Sequence, residues 1–78
     1  MPKLELYYIP SCSYCQKVMA FMKQNNMSIP LRDRDVNPET KQELIKIGGK
    51  MQVPCLVIDG KALYESDQII AWLKENWR

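Results

Sequence analysis

The segment Lys3-Leu4-Glu5-Leu6-Tyr7-Tyr8-Ile9-Pro10-Ser11-Cys12-Ser13-Tyr14-Cys15 decides how the chain is read. Residues 3–9 alternate at first and then turn apolar, which predicts a strand buried on at least one face. Pro10 stops it. From about Ser13 to Gln24, Cys15, Val18, Met19 and Met22 recur at helical spacing. Asn25-Asn26 ends this helix, since asparagine tolerates a left-handed turn. Two cysteines three apart thus fall on a strand-to-helix turn.

That placement has chemical consequences. With Cys12 in the first helical turn, unsatisfied backbone N–H groups stabilise a thiolate and lower its pKa. Position i+3 lies on the same helix face, so Cys15 is within disulfide reach and one turn deeper. Cys12 is the natural nucleophile and Cys15 the resolving thiol. A Cys-x-x-Cys pair after a strand reads as a thioredoxin-like redox motif. Zinc is the first alternative, but it needs four ligands. The chain has no histidine and only three cysteines. A permanent structural disulfide is the second, but so short a loop constrains little entropy. The redox reading leads both.

Outward from this turn, Ile29-Pro30-Leu31-Arg32-Asp33-Arg34-Asp35-Val36 is a weaker strand whose charges suggest a sheet edge. Asn37-Pro38-Glu39 opens a second helix with an N-cap, a proline at the first helical position and an acid in the first turn. Leu44, Ile45 and Ile47 give it an apolar face, and Gly48-Gly49 closes it. Pro54-Cys55-Leu56-Val57-Ile58 is a short apolar strand. Asp59-Gly60 is a tight turn, and Lys61-Ala62-Leu63-Tyr64 returns antiparallel. Ser66 caps a last helix with Asp67 in its first turn and a core face of Ile69, Ile70, Leu73 and Trp77. The order β-α-β-α-β-β-α predicts an α/β fold: parallel strands at the start, an antiparallel hairpin at the end.

The 78 residues suit one domain, 1–78, with a single modest core. Apolar residues make up 46% and the net charge is +2, too slight to argue for nucleic acid or a membrane surface. No long apolar segment or signal-like N-terminus is present, so the expected address is the cytoplasm. An odd number of cysteines builds no closed disulfide framework, and a close pair in a reducing compartment is more often catalytic or metal-binding.

Over essentially all 78 residues the sequence resembles the glutaredoxins. Three motifs carry the resemblance: Cys12-Ser13-Tyr14-Cys15, Gln52-Val53-Pro54, and Glu65-Ser66-Asp67-Gln68-Ile69. The last, with Val53–Gly60 before it, is also similar to the N-terminal domain of glutathione transferases. The resemblance implies a thioredoxin-like fold with a four-stranded mixed sheet flanked by three helices. It implies a glutathione-dependent oxidoreductase in which Cys12 attacks protein disulfides and protein–glutathione mixed disulfides and Cys15 resolves. It implies a cis Pro54 facing Cys12, which exposes the Val53 backbone to glutathione's cysteinyl portion like one added strand rung. The last helix's N-terminus, with Ser66, would receive the γ-glutamyl carboxylate and Asp67 the ammonium; simple helix capping is the alternative for both. Lys41 falls where relatives place a group for glutathione's glycine carboxylate, against the alternative of a solvated lysine. Tyr14 would wall the site. Glutathione as co-substrate, disulfide-containing or glutathionylated proteins as partners, no resident metal and a monomer complete the expectation.

The sequence departs from the family at several points. Ile9 stands where many glutaredoxins carry a lysine, Gln52 replaces the usual threonine, and Tyr64-Glu65 replaces Gly-Gly. Cys55 reads as a small buried hydrophobe or, alternatively, as a third oxidisable thiol. Ser13 replaces the commonest proline and restores an N–H donor. Some relatives with this motif bind a [2Fe–2S] cluster between two protomers, with one cysteine from each, here Cys12, and two glutathiones. That cluster dimer and a thioredoxin-reductase-dependent reductant are the alternatives to the glutathione-dependent enzyme.

Overall fold

A computed structural model describes residues 3–36 and 38–77. The expected N-cap Asn37 lies outside the described residues. The elements are β1 (Leu4–Tyr8), α1 (Ser13–Gln24), β2 (Leu31–Asp33), α2 (Pro38–Gly48), β3 (Cys55–Ile58), β4 (Lys61–Tyr64) and α3 (Ser66–Asn76). They form one four-stranded sheet in the order β2-β1-β3-β4. β1 runs parallel to β2, with Leu6 opposite Leu31. β1 runs antiparallel to β3, with Leu6 opposite Leu56, and β3 antiparallel to β4. This is the expected mixed sheet with three helices.

The period of two along the strands builds two apolar layers. Leu4, Leu6 and Leu56 point to one face and pack with Val18 and Met22 of α1, Ile29, and Ile69 and Leu73 of α3. Tyr7, Cys55 and Val57 point to the other and pack with Leu44 of α2. Both faces of the central strands are therefore covered, which explains why β1 and β3 read as apolar runs.

Asp59 (φ 50°) and Gly60 (φ 85°) both take positive φ, the geometry a two-residue hairpin turn needs. Asn25 caps the C-terminus of α1, and Asn26 follows with φ 54°.

Three local readings change. β2 is only Leu31–Asp33: the Arg34 N–H still bonds the Tyr8 carbonyl, but the chain then turns as the Val36 N–H bonds back to the Asp33 carbonyl. Ile45 is exposed: Thr40 and Leu44, one turn apart, take the buried stripe of α2 and leave Ile45 about 100° round the helix. Ser66 is the first residue of α3 and Glu65 is its N-cap, with no side-chain capping bond. At the end of α2, a Cβ on Gly48 would fall 1.7 Å from the Tyr64 hydroxyl, so β4 can lie close only because residue 48 is glycine. No helix among the described residues is long and apolar enough to cross a membrane.

Candidate active site

β1 delivers the chain to Pro10, and the Cys12 N–H bonds the Ile9 carbonyl at 3.2 Å, turning the backbone into α1. Cys12 is the N-cap residue, in extended conformation (φ −85°, ψ 119°). Its Sγ accepts the Cys15 N–H at 3.4 Å, as a serine hydroxyl would at this position. Gln16 fastens the turn from outside, its Nε2 donating to the Pro10 carbonyl at 2.7 Å. Cys12 is part-exposed; Cys15 and Cys55 are buried, and all three are free thiols.

The environment separates the two motif thiols. Burial pushes Cys12 up, but hydrogen bonds with the Cys15 thiol and the Cys15 and Tyr14 backbone, with the Arg34 charge, outweigh it. They hold Cys12 below the ordinary thiol value. Burial pushes Cys15 up to about 12, and the Cys12 thiol and charge add to that while a backbone hydrogen bond with Ile9 opposes it. Near pH 7, iodoacetamide should therefore modify Cys12 well before Cys15 or Cys55, as peptide mapping by mass spectrometry would read. Equal labelling would contradict this ordering.

The same burial predicts alkaline instability. Cys15, Cys55, Tyr7 and Tyr64 all sit above their ordinary values, burial being the first cause for each. A raised folded-state pKa means the folded chain holds its proton more tightly than the unfolded one. That stability is fully present below the ordinary thiol value of 9.0 and is lost as pH rises towards about 12 for Cys15. Cys12, held below the ordinary value, works the opposite way and has given its full contribution by about pH 9, so the urea midpoint should fall steadily above about pH 9. A midpoint still flat at about pH 11 would contradict it.

Beside this turn lies a cleft of about 370 Å³ lined by Tyr14, Gln52, Val53, Pro54, Glu65, Ser66 and Asp67. It gathers residues from α1, the loop before β3 and the start of α3. The Val53–Pro54 peptide is cis. Tyr14 is 64% exposed, a large aromatic left open at the rim. Ser66 is buried, and Asp67 is exposed in the first turn of α3. Five of the expected glutathione contacts, Tyr14, Val53, Pro54, Ser66 and Asp67, thus share one cleft. Cys12 and Lys41 do not line it. Lys41 lies in a separate depression of about 630 Å³ with Asp35, Val36, Pro38, Gln42 and Ile45. Its Nζ is 3.8 Å from Asp35 Oδ1.

Several neighbours were not legible as site residues. Lys17 Nζ pairs with Asp67 Oδ1 at 2.5 Å, joining α1 to α3 where the ammonium of a ligand was expected. Both side chains are more than half exposed, so the pair contributes little stability, about 0–1 kcal/mol. Glu65 holds φ +71°, a region in which L side chains are strained. Gln52 Nε2 reaches Glu65 Oε1 at 3.5 Å. Arg34 bonds the Met51 carbonyl at 3.0 Å and acts on both motif thiols. Cys55 packs against Tyr64, its antiparallel partner. The Tyr64 hydroxyl is buried with no partner in hydrogen-bond geometry among the described residues.

The glutaredoxin family model matches residues 4–63, which include the thiol turn, β1–β3 and most of β4. The chain belongs to the glutaredoxin family. Members of this family are glutathione-linked thiol oxidoreductases. Glutaredoxin 3 of Escherichia coli (strain K12) is 28% identical over 71 residues, 91% of this chain and 86% of that protein. Prostaglandin E synthase 2 of Danio rerio is 38% identical over 73 residues, 92% of this chain. The chain spans only 19% of that relative's length. Among solved structures, a delta-class glutathione transferase of Nilaparvata lugens matches with a TM-score of 0.79 and 28% identity over 95% of this chain. The chain corresponds to 36% of that transferase. The glutaredoxin-like fold is thus also the fold of one part of a larger transferase, as the motif Glu65-Ser66-Asp67-Gln68 suggested.

Proposed function

We propose that this glutaredoxin-family chain is a glutathione-dependent thiol–disulfide oxidoreductase that works through Cys12. The observation that carries the reading is the split between the two thiols. Cys12 is part-exposed and held below the ordinary thiol value, while Cys15 is buried and pushed up to about 12.

The Cys12 thiolate attacks the glutathione sulfur of a glutathionylated protein. The Cys12–glutathione disulfide forms, and the protein leaves as a thiolate that takes a proton. A second glutathione thiolate attacks the same glutathione sulfur, which releases oxidised glutathione and regenerates Cys12. In this route Val53, Pro54 and Tyr14 hold the cysteinyl part, and Ser66 with the start of α3 receives the γ-glutamyl carboxylate. The γ-glutamyl ammonium meets Asp67 by displacing the Lys17 ammonium, an exchange of one exposed ion pair for another. In this reading Lys41, from its separate depression, meets the glycine carboxylate.

With a protein disulfide, Cys12 forms a mixed disulfide with one protein sulfur. Cys15 then attacks the Cys12 sulfur, releasing the reduced protein and leaving a Cys12–Cys15 disulfide that two glutathiones reduce. Forming the mixed disulfide discharges Cys12 and so removes one of the influences that hold the Cys15 proton, although burial remains. Cys15 is therefore a slow attacking group at neutral pH, and the one-thiol route dominates.

The expected result is that Cys15→Ser retains turnover of a glutathionylated peptide, within about threefold of wild type, and loses most reduction of a protein disulfide. A coupled assay of oxidised glutathione on both substrates checks this. Equal loss on both would contradict the division of labour.

A cluster-bridged dimer is the second reading. Four thiolates are required for a [2Fe–2S] cluster. Among the described residues no group of three or more metal-ligating side chains occurs, and Cys12 is the one part-exposed thiol. Cys12 fits as one ligand, so a cluster would need a second chain and two glutathione thiolates. A brown dimer after anaerobic reconstitution with iron, sulfide and glutathione would support that reading; a colourless monomer would remove it.

A further inference from the structure

Arg34 lies just past β2, where two arms of the site come together. Its backbone N–H donates to the Tyr8 carbonyl at 2.8 Å, at the last residue of β1, four residues before Cys12. Its Nη1 donates to the Met51 carbonyl at 3.0 Å, at the start of the segment that leads through Gln52 and Val53 to Pro54. Nε and Nη2 grip the two oxygens of Asp35, each at 3.1 Å. The side chain is 23% exposed, well enclosed for an arginine whose carboxylate partner is 47% exposed. A planar fork that makes three directed bonds on two sides is arginine chemistry; a lysine ammonium cannot reproduce it.

The position also has a charge to supply. Ile9 and Pro10 bring none to the end of β1, where the chain turns towards Cys12. The groups that titrate or carry charge around Cys12 are few. Cys15 faces it from α1, and Arg34 acts on it from beyond β2, with Asp35 and Lys41 behind Arg34. Lys17 of α1 and Asp67 of α3 pair with each other, and Glu65 stands at the cap of α3.

We propose that Arg34 is a positioning residue of the thiol site: its fork ties the Met51 arm to the end of β1 and keeps a cation trained on Cys12 and Cys15. This deepens the proposed function, since it rests on Cys12 being the attacking thiol. Arg34 stabilises the thiolate through space, and it orders the loop whose Val53 and Pro54 line the cleft. The two roles separate by substitution. Arg34→Lys keeps the charge and loses the fork. Arg34→Gln loses both.

The test titrates the thiolate absorbance of the reduced protein, follows the pH dependence of iodoacetamide alkylation at Cys12, and measures kcat and KM with a glutathionylated peptide. Arg34→Gln should raise the Cys12 midpoint by roughly half a unit to one unit and slow alkylation at about pH 6 by roughly three- to tenfold. Arg34→Lys should keep the midpoint near that of wild type but raise KM, with kcat retained. If Arg34→Gln does not fold, the Arg34→Lys pattern alone decides. An unchanged midpoint in Arg34→Gln, a midpoint in Arg34→Lys as far raised as in Arg34→Gln, or an unchanged KM in Arg34→Lys overturns the assignment. A wild type that turns over no glutathionylated peptide fails the proposed function instead, and the titration and alkylation arms still judge Arg34.

Discussion

Cys12→Ser should lose glutathione-dependent turnover of a glutathionylated peptide by on the order of a thousandfold in kcat/KM. The loss is chemical. A serine hydroxyl stays protonated at neutral pH and forms no disulfide, so neither the first exchange nor the glutathione step can occur. The fold should be untouched. Cys12 is an N-cap whose sulfur accepts the Cys15 N–H, and serine is among the preferred N-cap residues. Thermal melts of the variant should match or slightly exceed wild type. A variant with normal melts and more than a tenth of wild-type turnover would remove Cys12 from the mechanism. Cys55 is a poor substitute nucleophile, because it is fully buried and burial pushes its thiol up.

Leu6→Ala should be strongly destabilising. Leu6 is fully buried in the middle of β1, with Leu31 and Leu56 as its neighbours across the sheet. It sits in the layer that joins α1 and α3 to the sheet. Removing its side chain costs lost burial plus a cavity, about 2–5 kcal/mol. A domain of this size has roughly the lower part of the usual 5–15 kcal/mol to lose. The melting temperature should fall by roughly 10–25 °C. Leu31→Ala is the control. It lies opposite Leu6 in register but is 47% exposed on an edge strand, so its effect should stay within about 0.5 kcal/mol. Comparable losses for the two variants would mean that the two-layer description of the core is wrong.

Much of this architecture was legible because its causes are local. Pro10 ends β1, Asp59-Gly60 supplies two positive φ values, and Asn25-Asn26 supplies a cap and a left-handed residue. The thiol turn was legible for the same reason: spacing and a helix start set Cys12 nearer the surface and Cys15 one turn deeper, where it is buried. The Ser66-Asp67 segment was legible as a helix start, though the cap itself falls one residue earlier. Nothing in Tyr64-Glu65-Ser66 announces that a glutamate will hold φ +71°.

What stayed hidden depends on tertiary approach. Lys17 and Asp67 are 50 residues apart, and only the packing of α1 against α3 makes them a pair. Arg34 read as one charge among four on a weak strand. Its bond to the Met51 carbonyl reaches a residue 17 positions further on, a contact that spacing does not show. Ile45 looked apolar and therefore buried, yet the stripe through Thr40 and Leu44 sets the facing side of α2. Lys41 was expected to meet glutathione's glycine carboxylate, and nothing in the sequence showed that α2 would bring it near Asp35.

The central claim is that glutathione enters and leaves through Cys12. Trapping tests it most directly. Cys15→Ser, mixed with a glutathionylated peptide and quenched with acid before free glutathione is added, should carry one glutathione per chain, mapped by mass spectrometry to Cys12 and released by adding glutathione. Glutathione mapped to Cys55, or no adduct while the peptide is still being reduced, would contradict the account.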